Sequence, residues 1–403
     1  MGLNDTPASE RKHIGIFGRR NAGKSSVINA MTGQDLAIVS EVKGTTTDPV
    51  QKSMELLPLG PVVMIDTPGL DDSGDLGSLR TEKAYQVLNK TDIALLVVDG
   101  TVGMTDEDYE ILDMIREKTI PCAIIMNKAD LVDENRKKET APDEDEVSEP
   151  VIWVSATDQT NIYELKELVG SLVPEEEQRL KLVGDLLSPM DYVVLVIPID
   201  KAAPKGRLIL PEQQTIRDIL EAGAISVVTR NTELKETLSS LGQKPAMVIT
   251  DSQAFEQVAA EVPEDIPLTS FSILQSRYKG DLKHQVEGAR TLSTLEEGDT
   301  ILISEGCTHH RQCEDIGTVK LPGWIKKFTG KDINFEFSSG TGFPTDLSKY
   351  KLIVHCGACM LNEKEMQHRI RCAKDAGVPI TNYGTAIAYM NGILERSIAM
   401  FDL

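Results

Sequence analysis

Residues 13–25 read HIGIFGRRNAGKS: an apolar run, a loop bounded by Gly18 and Gly23, then Lys24 and Ser25. Gly18–Ser25 satisfies GxxxxGK(S/T). A strand candidate, His13–Gly18, precedes it and a helical pattern, Lys24–Met31, follows, which is the context this loop requires. Glycines at 18 and 23 let backbone amides turn inward around phosphates, and the helix amino end adds its partial positive charge. Lys24 is placed to reach the β- and γ-phosphates, the Ser25 hydroxyl to ligate Mg²⁺, and Ser26 to follow on the same first turn.

Working outward, strand candidates recur at Val62–Asp66, Ile93–Asp99, Cys122–Asn127 and Val151–Ser155, with helical patterns at Asp106–Glu117 and Ile162–Leu172. That alternation predicts a mostly parallel sheet covered by helices. Three further motifs close three of these strands. Asp66-Thr67-Pro68-Gly69 offers an aspartate for Mg²⁺ and a glycine amide for the γ-phosphate. Asn127-Lys128-Ala129-Asp130 offers a carboxylate that accepts from guanine N1 and N2, donors adenine lacks. Ser155-Ala156-Thr157 offers backbone amides to the guanine O6. A desolvated, unpaired carboxylate penalises the wrong base, so the set reads as a GTP site.

These residues, over about 11–173, resemble the translation-factor-related GTPases, in particular the branch with Era and TrmE. The resemblance implies that Gly44-Thr45-Thr46-Thr47-Asp48 is the switch segment, with Thr46 ligating Mg²⁺. Leu70 follows DTPG where Ras-type enzymes carry a water-orienting glutamine. By the same resemblance, K⁺ held partly by Asn21 replaces an arginine finger, and Lys24, Thr46 and Gly69 form the catalytic set. A monovalent cation there offsets charge developing on the phosphates. Arg19 and Arg20 are rival cations, expected to point to solvent.

The chain has 403 residues with 42 Lys+Arg against 63 Asp+Glu, a net charge of −21. Such a balance argues against nucleic-acid binding, which needs basic side chains to displace counterions. No apolar run reaches membrane-spanning length and MGLNDTPASERKH is not leader-like, so a cytoplasmic, reduced protein is expected. Glu139–Glu149 reads as a solvated acidic loop.

Near Pro174 a second α/β stretch begins, with strands Tyr192–Ile199, Ala224–Thr229 and Ala246–Thr250 and helices Glu212–Glu221, Glu233–Leu241 and Ser252–Ala260. Its segment 200–211, DKAAPKGRLILP, reads as a connecting loop. A third region opens at the joint Pro263–Pro267, with strands Thr300–Ser304, Asn334–Phe337 and Lys351–His355 and helices Glu363–Ala376 and Ala386–Met400.

Five of six cysteines lie in this last region, at 307, 313, 356, 359 and 372. Cys307-Thr308-His309 follows the apolar ILIS; His355-Cys356-Gly357-Ala358-Cys359 follows KLIV. Strand ends lying side by side would bring three thiolates and two imidazoles to one sheet edge. Spacing alone leaves a Cys₃His zinc site and a three-thiolate 4Fe-4S cluster equally open. Cys122, Cys313 and Cys372 read as buried small hydrophobes, although Cys313 is near enough to substitute for a ligand, and His310 reads as a bystander.

A CxH…HCxxC signature behind an Era-like domain resembles the FeFe-hydrogenase maturation GTPases, the HydF-type scaffold proteins, over the whole chain. The resemblance implies an α/β fold class: a Ras-like P-loop GTPase domain (1–173), a dimerisation domain (174–264) and an iron–sulfur domain (265–403). It implies that Cys307, Cys356 and Cys359 hold a 4Fe-4S cluster, with His309 and His355 as possible further ligands. A diiron precursor made by two radical-SAM maturases would be carried to apo-hydrogenase by a homodimer, with GTP acting as the switch. Two alternatives stand beside it: a ribosome- or tRNA-associated GTPase with structural zinc, and a redox-sensing switch GTPase.

Overall fold

The computed structural model describes residues 7–33, 50–57, 59–67, 85–143, 146–172, 182–199, 208–306, 315–340 and 342–403. The chain forms two compact units, Met1–Glu177 and Gln178–Leu403.

The first unit is a six-stranded sheet in the order β2-β3-β1-β4-β5-β6. Its strands are β1 (Lys12–Phe17), β2 (Val50–Leu56), β3 (Gly60–Asp66), β4 (Ile93–Asp99), β5 (Cys122–Asn127) and β6 (Val151–Trp153). Every pairing is parallel except β2 with β3. β4 and β5 are apolar runs buried on both faces, as strands between two helical layers must be. On one face Val27, Ile28, Leu165 and Val169 of helices Lys24–Thr32 and Ile162–Ser171 close a core; on the other Ile111, Leu112 and Ile115 of Asp106–Glu117 close a second. β2 escapes sequence reading because VQKSMEL is an edge strand with only alternate residues turned inward. In the acidic 139–149 stretch Glu139, Asp143 and Glu146 are exposed, while Glu149 is drawn into an ion pair. Arg116 donates to Glu149 through Nε (2.8 Å) and Nη2 (2.7 Å) and to the Glu146 carbonyl at 3.1 Å.

The second unit holds two four-stranded parallel sheets, β10-β9-β7-β8 and β12-β11-β13-β14. The middle sheet comprises β7 (Tyr192–Val196), β8 (Ile225–Thr229), β9 (Met247–Thr250) and β10 (Leu268–Ser270). The last sheet comprises β11 (Thr300–Glu305), β12 (Asn334–Ser339), β13 (Leu352–His355) and β14 (Ile380–Asn382). Two sequence expectations change. Leu268–Ser270, placed beyond the proline joint, pairs with β9 and completes the middle sheet, so the joint at 263–267 lies inside it. The single helix expected over Ala386–Met400 is two, Tyr383–Met390 and Leu394–Ile398, because Gly392 turns the chain at φ +71°. Residues 200–207 of the connecting loop lie outside the described residues.

Helix Leu282–Arg290 packs onto β14 with no room for a side chain at its contact: a Cβ on Gly288 would stand 2.1 Å from the Ile380 carbonyl oxygen. Gly→Ala inside a helix ordinarily stabilises by up to about 1 kcal/mol. Here Gly288→Ala is expected to destabilise instead, by about 1–3 kcal/mol, because helix and strand must part. Chemical denaturation of the variant measures the sign; a gain in stability would show that the contact yields.

Candidate functional site

The nucleotide site is built on the carboxyl ends of β1, β3 and β5. Gly18 (φ +136°) passes so close to β4 that a Cβ would fall 2.2 Å from the Val97 carbonyl oxygen. Gly23 (φ +95°) has the same constraint against Asn127 Nδ2, also at 2.2 Å. Both positions therefore need glycine for space as well as for dihedral. Lys24, 8% exposed, donates through Nζ to the Gly18 and Arg19 carbonyls at 2.8 Å each, so the loop folds around its own ammonium. Phosphate oxygens are stronger acceptors that can take over those bonds.

The Ser25 hydroxyl donates to Asp66 Oδ2 at 2.5 Å, across from helix to strand. Asp66 Oδ1 is buried and has no hydrogen-bond partner, and burial raises the carboxyl above the usual aspartate range despite Ser25 and Lys24. An orphaned carboxylate oxygen beside a hydroxyl fits Mg²⁺, which takes oxygen ligands. Asn21, φ +64° and exposed, and Ser26, exposed, lie on the outer side of the same loop and turn. Thr46, Gly69 and Leu70 lie outside the described residues.

The base-side motifs are braced to this loop. Asn127, 3% exposed, donates from Nδ2 to the Ala22 carbonyl at 3.0 Å and accepts from the Ala156 amide at 3.3 Å. It thereby ties the phosphate loop to the Ser155-Ala156-Thr157 turn. Ser155 is fully buried and its Oγ accepts from the Asp158 amide at 3.3 Å. Lys128, φ +66°, pairs with Asp99 at 2.5 Å. Asp130 is exposed on the turn Ala129–Leu131 and is available to a ligand.

One expectation is corrected: Arg19 does not simply point to solvent. Its Nε stands 3.1 Å from Asp108, a side chain with 0% exposure at the start of helix Asp106–Glu117. Sequence reading missed Asp108, although TDED at 105–108 is a capping-box string that could have flagged it.

The second candidate site is in the last sheet. β11 and β13 are parallel neighbours in the register Ser304↔His355, so the chain leaves both strands side by side toward the two halves of the cysteine pattern. Cys356 Sγ accepts the Gly306 amide at 3.1 Å and the Ala358 amide at 3.4 Å. Ala358 has φ +53°, the left-handed step that lets the Cys356–Cys359 turn close. Burial pushes the Cys356 thiol up to about 11 despite those two amides, and burial raises Cys359 as well, with Lys279 opposing. Two N–H donors aimed at one sulfur fit a thiolate bound to a cation, since a metal must draw off the proton that burial otherwise retains.

His355 is fully buried: Nδ1 lies 2.9 Å from the Cys356 carbonyl oxygen and Nε2 lies 3.0 Å from Arg369 Nη1. Cys307, His309, His310 and Cys313 lie outside the described residues, and among those described no three His, Cys, Asp or Glu side chains converge. Cys122 is buried in the first unit, as expected. Cys372 is half-buried with Sγ 3.5 Å from His368 Nε2.

Fold and site together define a P-loop GTPase, and residues 13–128 match the family model of the 50S ribosome-binding GTPase. Two further family models match the rest: the Hydrogen maturase F dimerization domain over residues 182–280, and the Hydrogen maturase F tetramerization domain over 283–400. These two cover more than half of the chain, and the chain belongs to the hydrogen maturase F family.

Curated relatives match over part of the chain. GTPase Der of Kosmotoga olearia is 29% identical over 207 residues, 48% of this chain and 46% of its own. The tRNA modification GTPase MnmE of Desulforamulus reducens is 34% identical over 161 residues, 40% of this chain and 34% of its own. The chain thus spans less than half the length of either. Among solved structures, Aquifex aeolicus Era bound to GDP·AlF₄⁻ covers 57% of this chain and 98% of its own at 20% identity, with a TM-score of 0.35. No helix among the described residues is long and apolar enough to cross a membrane.

Because Asp66 sits above the ordinary carboxylate range, it loses its charge at a higher pH than an exposed aspartate when the solution is acidified. Protonated, it cannot hold Mg²⁺. Mg²⁺-dependent affinity for a fluorescent GTP analogue should therefore fall on acidification at a higher pH than an exposed aspartate would give. Asp66→Asn should lose most of the Mg²⁺ dependence and its pH profile; an unchanged profile would place the ion elsewhere.

Proposed function

We propose that the protein is a K⁺-stimulated GTPase that serves as an iron–sulfur scaffold in FeFe-hydrogenase maturation. The observation that carries this reading is the register of β11 with β13, which aligns the exits toward Cys307 and Cys356 and sets the Gly306 amide on Cys356 Sγ. Cys356 and Cys359, with Cys307 from the other half, would hold a 4Fe-4S cluster. Such a cluster, held by three thiolates, supplies one iron with an exchangeable position. The cargo would be a diiron precursor received from radical-SAM maturases and passed to apo-hydrogenase. The family's dimerization and tetramerization domains favour an assembly of copies over a monomer.

In the nucleotide site, Lys24 and Ser25 would bind the phosphates and Mg²⁺, Asp66 would hold the ion, and Asp130 would select guanine. Thr46 and Gly69 complete the set proposed for hydrolysis. Asn21, at the outer rim of the loop, would help hold K⁺ near the phosphates, where the cation offsets developing charge. GTP turnover acts as a switch on partner affinity, with no direct chemistry at the cluster required of it.

Iron, acid-labile sulfide and zinc should be measured on protein purified without oxygen. About four irons and four sulfides per chain are expected, the complement of one 4Fe-4S cube, and a large loss in Cys356→Ser. One zinc and no sulfide would overturn the scaffold reading and leave a GTPase with a structural metal. In a separate assay, GTP turnover is expected to be severalfold faster in KCl than in NaCl, with Asn21→Ala abolishing the difference. Equal rates in the two salts would remove K⁺ from the mechanism.

A further inference from the structure

Arg369, on helix Glu363–Asp375, is 0% exposed. A guanidinium is an obligate donor that cannot give up its charge, so its burial requires acceptors on every side. It finds them at three adjacent strand ends. Nη1 donates to His355 Nε2 (3.0 Å) at the end of β13 and to Ser304 Oγ (3.4 Å) near the end of β11. Nη2 donates to the Gly340 carbonyl (2.6 Å) just past β12. Nε pairs with Glu365 at 2.9 Å, and the guanidinium lies 5.1 Å from the centre of the Phe343 ring. One side chain thus spans β12, β11 and β13 at the edge where the cysteine pattern begins.

The same contacts fix the state of His355. Arginine offers no lone pair, so Nε2 must accept, and the proton of the neutral ring must be on Nδ1. Nδ1–H then donates to the Cys356 carbonyl at 2.9 Å. Neither ring nitrogen retains a lone pair for a metal. His355, expected from the sequence as a possible ligand, instead holds the backbone of Cys356, the residue proposed as one.

We propose that Arg369 is the positioning residue of the Cys356–Cys359 thiol turn: acting through His355 it fixes the Cys356 backbone, and through Ser304 it ties that turn to the end of β11. This rests on the reading of Cys356 and Cys359 as metal-binding thiols. A guanidinium fork suits the task because it reaches several acceptors in one plane, which an ammonium cannot do.

The test uses the full-length apo-protein and Co²⁺ as the probe, because sulfur-to-cobalt charge-transfer absorption reports thiolate ligation whichever metal the protein normally holds. Arg369→Lys keeps the charge and loses the fork. It is expected to remain folded by circular dichroism while binding Co²⁺ about 10–100-fold more weakly, the usual cost of removing an outer-shell partner. Arg369→Gln should do the same or worse, and if it fails to fold the lysine variant still decides. His355→Asn retains an amide that can donate to the Cys356 carbonyl, and is expected to leave the thiolate absorption per cobalt unchanged.

Wild-type Co²⁺ affinity in folded Arg369→Lys would overturn the positioning role. A lost nitrogen ligand in the spectrum of His355→Asn would overturn the ring assignment and return His355 to the ligand set. Because the readout is cobalt bound to thiolates, finding zinc in place of iron and sulfide would defeat the scaffold reading without touching this one.

Discussion

Parallel pairing is the constraint on which both sites depend. Strands that run the same way deliver their carboxyl ends to one edge, and the loops leaving that edge are the only places where several distant segments meet without breaking the sheet. In the first unit β1 ends at the phosphate loop, β3 at Asp66 and β5 at Asn127. In the last sheet β11 and β13 end beside each other at Glu305 and His355. The chemistry differs, phosphate in one case and thiols in the other, but the geometric device is shared. Glycines at 18 and 23 serve it by letting the backbone come within contact distance of its neighbours.

Much of the nucleotide site was legible because each motif is short, local and preceded by an apolar strand, of six or seven residues for all but the three-residue β6. Strands β4 and β5 and the helix Asp106–Glu117 fall at the residues their patterns indicate. What escaped has a common cause. β10 and β14 are three residues long, too short to carry a period, and β2 is an edge strand with only one face turned inward. Contacts between distant segments were equally invisible: nothing in GRRNAGKS announces that Arg19 pairs with Asp108. Nor does HCGAC reveal that its histidine is held from a helix that begins eight positions later.

Buried polar atoms separate the two kinds of site residue. Asp66 Oδ1 is buried without a donor, a cost on the order of 1–3 kcal/mol that a bound cation would relieve. His355 and Arg369 are buried with every ring nitrogen and every guanidinium nitrogen engaged. The first arrangement is a place for a ligand. The second is finished without one, and residue type alone could not tell them apart.

The interior of the middle sheet includes Ala388, Leu394, Ile398 and Phe401, contributed by the helices that follow β14 and the short segment after them. Arg396 strengthens the return by donating to the Val262 and Pro263 carbonyls. Burying the leucine, isoleucine and phenylalanine of this group contributes roughly 1.5–3 kcal/mol each. A division at residues 280–283, where the two hydrogen maturase F models meet, therefore cuts through one hydrophobic interior. During synthesis the middle sheet must wait, its apolar face uncovered, until more than a hundred later residues have left the ribosome. A chaperone has its longest opportunity there, and translation pauses between β10 and the last helices would lengthen the interval in which this segment can aggregate.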